Sequence, residues 1–96
     1  MEFEWDENKK LRNLVKHGVY FEDAATVFRD PHELTLPART VDGEERFKTI
    51  GHFGPAAILL VVHTRRQISG GDLIVRIISA RPASRVERKL YERRES

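Results

Sequence analysis

The apolar positions of the chain repeat with two periods, and the change from one to the other divides it. Leu11, Leu14 and Val15 fall at helical spacing and give a narrow apolar stripe. Asp6 suits the N-cap of that helix, Lys16 and His17 suit the negative end of its dipole, and Gly18 suits the left-handed residue just past it. A helix over residues 7–17 is predicted. "FEDAATVF", residues 21–28, sets Phe21, Ala24, Ala25 and Phe28 on one face, and Asp30-Pro31 stops it. Two helices joined by a short connection predict a helical hairpin near the N-terminus. Ahead of them "FEW", residues 3–5, reads as a short strand.

Residues 29–45 hold Pro31, Pro37, Gly43 and five acids, with a brief "LTL" that is either strand or extended loop. Strand patterns come next at "ERFKTIGHF" (45–53), "AILLVVHT" (57–64) and "LIVRIISA" (73–80), with hairpin-sized links at Gly54-Pro55 and "QISGGD". The nearly continuous apolar runs predict strands covered on both faces, by helices or by a partner. Ser84 and Glu87 have the spacing of a capping box for a final helix over about 85–94, whose apolar edge is only Val86 and Leu90. The fold class expected is α+β, with an N-terminal helical hairpin on a small antiparallel sheet, then a C-terminal helix.

Ninety-six residues make one domain, expected to span residues 1–96. The chain has no cysteine, which removes disulfides, thiolate metal sites and cysteine nucleophiles. No apolar run approaches the length of a membrane span, and the first residues lack the order of a signal peptide, so a cytoplasmic location is expected. The net charge of +2 conceals an asymmetry. Residues 1–45 carry 6 Lys/Arg and 11 Asp/Glu, net −5, whereas residues 46–96 carry 11 and 4, net +7. Clustered cations of this kind are the electrostatic footprint of a polyanion partner.

"FEWDENKKLRNLVKHGVYFEDAATVFRDP" (3–31), "ERFKTIG" (45–51), "LVVHTRR" (60–66) and "RIISARPASRVERKLY" (76–91), in this order, resemble the BrnT family of toxins from bacterial type II toxin–antitoxin systems. The resemblance implies a RelE-type fold and a ribonuclease that inhibits translation. It also implies a BrnA antitoxin that neutralises the toxin and binds operator DNA. Relatives commonly carry serine where this chain has Tyr20, so the second helix is expected to lack a side-chain cap.

RNA can be cut without a metal, because its 2′-hydroxyl can attack the adjacent phosphate. Arginine suits the charge that develops, since its planar fork matches two phosphate oxygens and stays protonated. Arg76 lies inside an apolar strand, where a guanidinium needs a phosphate or an ion pair, with Glu87 or an N-terminal acid as partners. Arg81 ends that strand with the opposite parity to Arg76, so the two share a site only if a bend or bulge re-aims one. Arg46 and Lys48 share one face of the first long strand. Lys48 would act as a general base only with a lowered pKa.

His63, beside Arg65, is either an acid–base group or a hydrogen-bonded strand residue. Tyr91 neighbours Arg88 on the last helix and either stacks on a base or packs. Arg85, Lys89, Arg93 and Arg94 form a phosphate-tracking or solvated face. The candidate catalytic set is therefore Arg76, Arg81, Arg46, Tyr91 and His63, with Lys48, Arg65, Arg85, Arg88 and Lys89 for RNA binding. No metal or cofactor motif appears: "DGEE" reads as a solvated turn, and "SGGD" lacks the lysine and helix of a phosphate loop. The expected partners are RNA, either free or ribosome-associated, and the antitoxin, with a toxin dimer in the complex left open. The alternative reading is a non-catalytic nucleic-acid-binding or protein-interaction module.

Overall fold

The computed structural model describes residues 1–95, with side chains as far as Arg93; the Arg94 side chain lies outside the described residues. Among the described residues there are five strands and three α-helices: β1 (Glu2–Glu4), α1 (Glu7–His17), α2 (Phe21–Ala25), β2 (Leu34–Val41), β3 (Glu44–Phe53), β4 (Ala57–Gln67), β5 (Leu73–Pro82) and α3 (Arg85–Glu95). The strands form one sheet in the order β1-β5-β4-β3-β2. β1 is parallel to β5, and the other neighbouring pairs are antiparallel. Among the described residues no helix is long and apolar enough to cross a membrane.

This arrangement corrects the expected RelE-like fold, an N-terminal helical hairpin on a small antiparallel sheet. The sheet is mixed, because the short strand read at residues 3–5 forms over Glu2–Glu4 and pairs in parallel with β5. The second helix is only five residues of α-helix, followed by a 3-10 turn over Thr26–Arg29. α1 and α2 rest on β5, and the 3-10 turn rests on β3, so each packs on the sheet. Gly51 of β3 permits that last approach: a Cβ there would stand 2.8 Å from a Val27 methyl and 3.2 Å from an Asp30 carboxylate oxygen. Tyr20 makes no side-chain cap for α2, as expected.

The termini of α1 match its sequence signals. The Asp6 carboxylate accepts from the Lys9 N–H at 3.0 Å, and Gly18, at φ 70°, donates back to the Leu14 carbonyl. Its buried side, however, is not the predicted apolar stripe. Leu11 is 55% and Val15 89% exposed, while Asn13 is buried. The Asn13 amide donates to the carbonyls of Val19 (3.0 Å) and Ala80 (2.8 Å), and its oxygen accepts from the Ala80 N–H at 3.1 Å. β1 pairs with β5 only as far as Arg76, so Asn13 satisfies backbone groups that a longer neighbouring strand would otherwise satisfy.

The core is split by the sheet. On one face Val19, Phe21, Ala24 and Val27 pack against Leu59, Val61, Val75, Ile77 and Ala80. On the other, Tyr91 of α3 packs with Ile50, Ile58 and Leu60. Replacing Asn13 with alanine strands both backbone groups of Ala80, and the predicted loss is about 1–3 kcal/mol. Urea unfolding checks this; an unshifted midpoint for Asn13→Ala would show that the amide is dispensable.

Candidate functional site

Successive side chains on a strand alternate between faces, so Arg76 and Arg81 would point apart on a regular β5. They do not, because Val62 of β4 pairs with Ser79 while the next residue, His63, pairs with Ile77, which leaves Ile78 as an extra residue. This β-bulge inverts the parity of everything after it. Val75, Ile77 and Ala80 face the α1–α2 side and are buried, whereas Arg76, Ser79 and Arg81 face the other side and are half-buried. The two guanidiniums then share a face, with α-carbons about 13 Å apart along β4's register.

Arg46 and Lys48 lie on the same face. Lys48, Val62 and Ser79 form one row across β3, β4 and β5. Arg46 lies next to that row and lines a cleft of about 220 Å³ with Arg39, Val62 and Ser79. Its Nε is buried and has no hydrogen-bond partner among the described residues. Three other arginines are held by carboxylates. Arg76 pairs with Glu44 at 2.6 Å, and Arg66 forks onto Glu4 at 3.2 Å. Arg81 forks onto Glu87 at 2.8 and 2.9 Å.

Glu87 also closes the capping box of α3: it accepts from the Ser84 N–H at 2.8 Å, and its own N–H donates to the Ser84 hydroxyl at 3.2 Å. The Arg81 guanidinium, aided by the Ser84 N–H, holds the Glu87 carboxyl at a pKa of about 2, although burial alone would raise it. The ion pair expected of Arg76 with Glu87 is thus made by Arg81, and Arg76 finds β3 instead.

Of the other candidates, His63 and Arg65 lie on the opposite face, whereas Tyr91 shares the face of the cluster but is buried between α3 and the sheet. His63 is fully buried on the opposite face, between Phe28 (ring centroids 4.9 Å) and Phe47 (6.1 Å). Its Nε2 is 2.8 Å from the Thr49 hydroxyl, itself 2.8 Å from that of Thr35. Its Nδ1 is buried near the Thr64 backbone without a hydrogen bond of normal geometry. Arg65 shares that face, with its guanidinium carbon 4.1 Å above the Phe47 ring. Tyr91 is fully buried, and its hydroxyl donates to Asp30 at 2.5 Å. Burial would raise the Asp30 pKa, but the N–H of His52, the Tyr91 hydroxyl and the N–H of His32 together lower it. Arg85, Arg88 and Lys89 are exposed on α3.

Arg39 and Ser79 were not predicted for the cluster. Arg39 sits in β2, of which only Leu34–Leu36 read as either strand or extended loop, yet Asp42-Gly43 offered a signal for the rest. Both residues have positive φ, 51° and 78°, between Val41 and Glu44, which pair. That is a two-residue type I′ hairpin turn, whose Asp-Gly preference is legible in sequence. Pro37 is tolerated because β2 is an edge strand.

A mixed sheet with a cationic, partly uncovered face is the kind of surface that meets a polyanion. The family model for BrnT, the ribonuclease toxin of type II toxin–antitoxin systems, matches residues 5–87. The chain belongs to the BrnT family, whose character as toxins implies an RNA substrate and an antitoxin partner. The 1.1 Å crystal structure of the Brucella abortus ribonuclease toxin BrnT is similar to it, with 29% sequence identity and a TM-score of 0.61 over 88% of this chain and 99% of that one. No curated protein matches the sequence.

The buried imidazole makes stability depend on pH. Burial lowers the His63 pKa from 6.5 to about 4, with a smaller contribution from Arg65. The unfolded chain therefore binds a proton that the folded one refuses. Stability is predicted to fall by on the order of 3 kcal/mol as pH drops from about 6.5 to about 4. Glu87, depressed from 4.5 to about 2, adds a further loss between those values. Urea midpoints across this range should decline in the wild type and flatten above pH 4.5 in His63→Gln; a flat wild-type profile would count against a neutral buried imidazole.

Proposed function

We propose that the chain is a metal-independent endoribonuclease that uses the basic sheet face to cut RNA and so inhibits translation. The 2′-hydroxyl loses its proton to water as its oxygen bonds to the adjacent phosphorus, the bond to the 5′-oxygen breaks, and that oxygen takes a proton from water. The products are a 2′,3′-cyclic phosphate and a 5′-hydroxyl. Arg46, Arg76 and Arg81 supply charge stabilisation to the phosphorane, and Lys48 holds a neighbouring phosphate. The observation that carries this reading is the common face of these four cations, with a guanidinium nitrogen of Arg46 left without a protein partner.

Arg46 bears most of the load in this reading. Glu44 and Glu87 already hold Arg76 and Arg81, so a phosphate must share those guanidiniums or displace the carboxylates. Tyr91 and His63, both fully buried, act as packing residues, and Arg65 lies on the wrong face to join the cluster. The exposed cations of α3, Arg85, Arg88 and Lys89, extend the positive field. A BrnA-like antitoxin would neutralise the toxin by covering this face and would itself read operator DNA. A toxin dimer in that complex and a ribosome-bound substrate are compatible with the same face.

The test is cleavage of single-stranded RNA by antitoxin-free protein in excess EDTA. The expected result is cyclic-phosphate ends, with the rate reduced by about 10² to 10³ in Arg46→Ala and unchanged in Arg65→Ala. Intact RNA in EDTA that is cut once magnesium is restored would refute metal independence. Undiminished cutting by Arg46→Ala would refute the site.

A further inference from the structure

The acidic half of the chain supplies a second positive surface. Lys9, Arg12, Lys16 and His17 of α1 line a cleft of about 330 Å³ against Ile78 and Ser79 of β5. Lys9 and Lys16 are about 10 Å apart along the helix axis, with Arg12 between them. Among the described residues the side chains of Lys9, Arg12 and Lys16 make no ion pair. Lys10, by contrast, is held by Glu7 and Glu22, both at 3.1 Å.

The cleft does not stand alone. Ile78, the bulged residue, also lines the cleft of Arg39 and Arg46 on the sheet face, and a third, of about 340 Å³, that joins Lys9 to Arg76. The three meet at Ile78, where β1 has already ended and, among the described residues, no strand flanks that edge of β5. Among the described residues Asp6 is the only carboxylate that lines the three clefts, and it is engaged as the cap of α1, while Glu44 stands beside Arg76. The exposed apolar residues of α1, Leu11 and Val15, are not in the lining, as an apolar protein partner would require.

We propose that α1 carries a second segment of the RNA-binding track, and that single-stranded RNA on the sheet face crosses β5 at Ile78 and continues along Lys9, Arg12 and Lys16. This rests on the ribonuclease reading of the sheet face and extends it to residues remote from the cut. These cations are positioning groups that bind phosphate without touching the reacting atoms. They set how much flanking RNA the protein grips, and they leave the chemical step to the sheet.

The experiment is anisotropy titration of antitoxin-free protein with uncleavable 2′-O-methyl RNA probes of roughly 4 and 16 nucleotides, over a range of salt. Each single-strand phosphate contact contributes about 0.7 to the slope of log affinity against log salt, so Lys9→Ala/Arg12→Ala/Lys16→Ala should flatten the long-probe slope by about 2. The short probe should bind as to wild type, and the melting temperature should be unchanged. Arg46→Ala/Lys48→Ala should weaken both probes. An unchanged long-probe slope in the triple variant, with Arg46→Ala/Lys48→Ala still impaired, overturns the α1 track and leaves the sheet-face reading standing. So does a triple variant that binds RNA normally but no longer co-purifies with its antitoxin, which would make the cleft a protein site. Wild-type protein that binds neither probe overturns both.

Discussion

One extra residue in β5 governs the arrangement of charge in this protein. With Ile78 bulged out, the strand delivers Ala80 to the core and Arg81 to the open face. Without it, the same sequence would drive a guanidinium toward Phe21 and Ala24 and turn an alanine outward, at the full cost of burying an unpaired charge. Asn13 holds Ala80, just past the bulge, by both backbone groups. The bulge is therefore anchored from α1, and the direction in which β5 leaves the sheet is set there too.

The placement of α3 depends on that direction. Arg81 grips Glu87, Glu87 caps α3 with Ser84, and α3 brings Tyr91 down on Ile50, Ile58 and Leu60. Asp30 completes the loop from the far side, since it accepts from the Tyr91 hydroxyl and from the backbone of His52, where β3 runs past the end of β2. Helices on both faces thus hold one sheet edge, and the glycine at 51 keeps the approach open. Charge that looks catalytic in sequence serves partly as structure here, because a half-buried guanidinium needs an anion whether or not RNA is present.

The sequence disclosed the elements with strong local signals. The capped helix at 7–17, the long apolar strands and the Ser84–Glu87 box all appear as read. It disclosed less where tertiary context overrode the pattern. The stripe of Leu11 and Val15 faces outward because a buried asparagine, invisible to a hydrophobicity count, holds α1 to the sheet. β2 showed only Leu34–Leu36 ahead of Pro37, and the helical hairpin failed because the second apolar run turns to 3-10 geometry over β3. At the candidate site the residue types were legible and the partners were not. The parity objection to Arg76 and Arg81 was sound for a regular strand, and only the pairing of β4 with β5 resolves it. His63 and Tyr91 have the chemistry of catalysts, but burial is a property of the fold.

The central claim is that RNA meets the Arg46, Lys48, Arg76 and Arg81 face. The most direct measurement is an NMR titration of the labelled, antitoxin-free protein with an RNA whose scissile 2′-hydroxyl is replaced by hydrogen. The expected result is saturable shifts in the side-chain resonances of those four residues, with His63 and Arg65, on the opposite face, unmoved. Shifts concentrated at Arg65 and Phe47, with the four cations silent, would contradict the claim and move the RNA to the other side of the sheet.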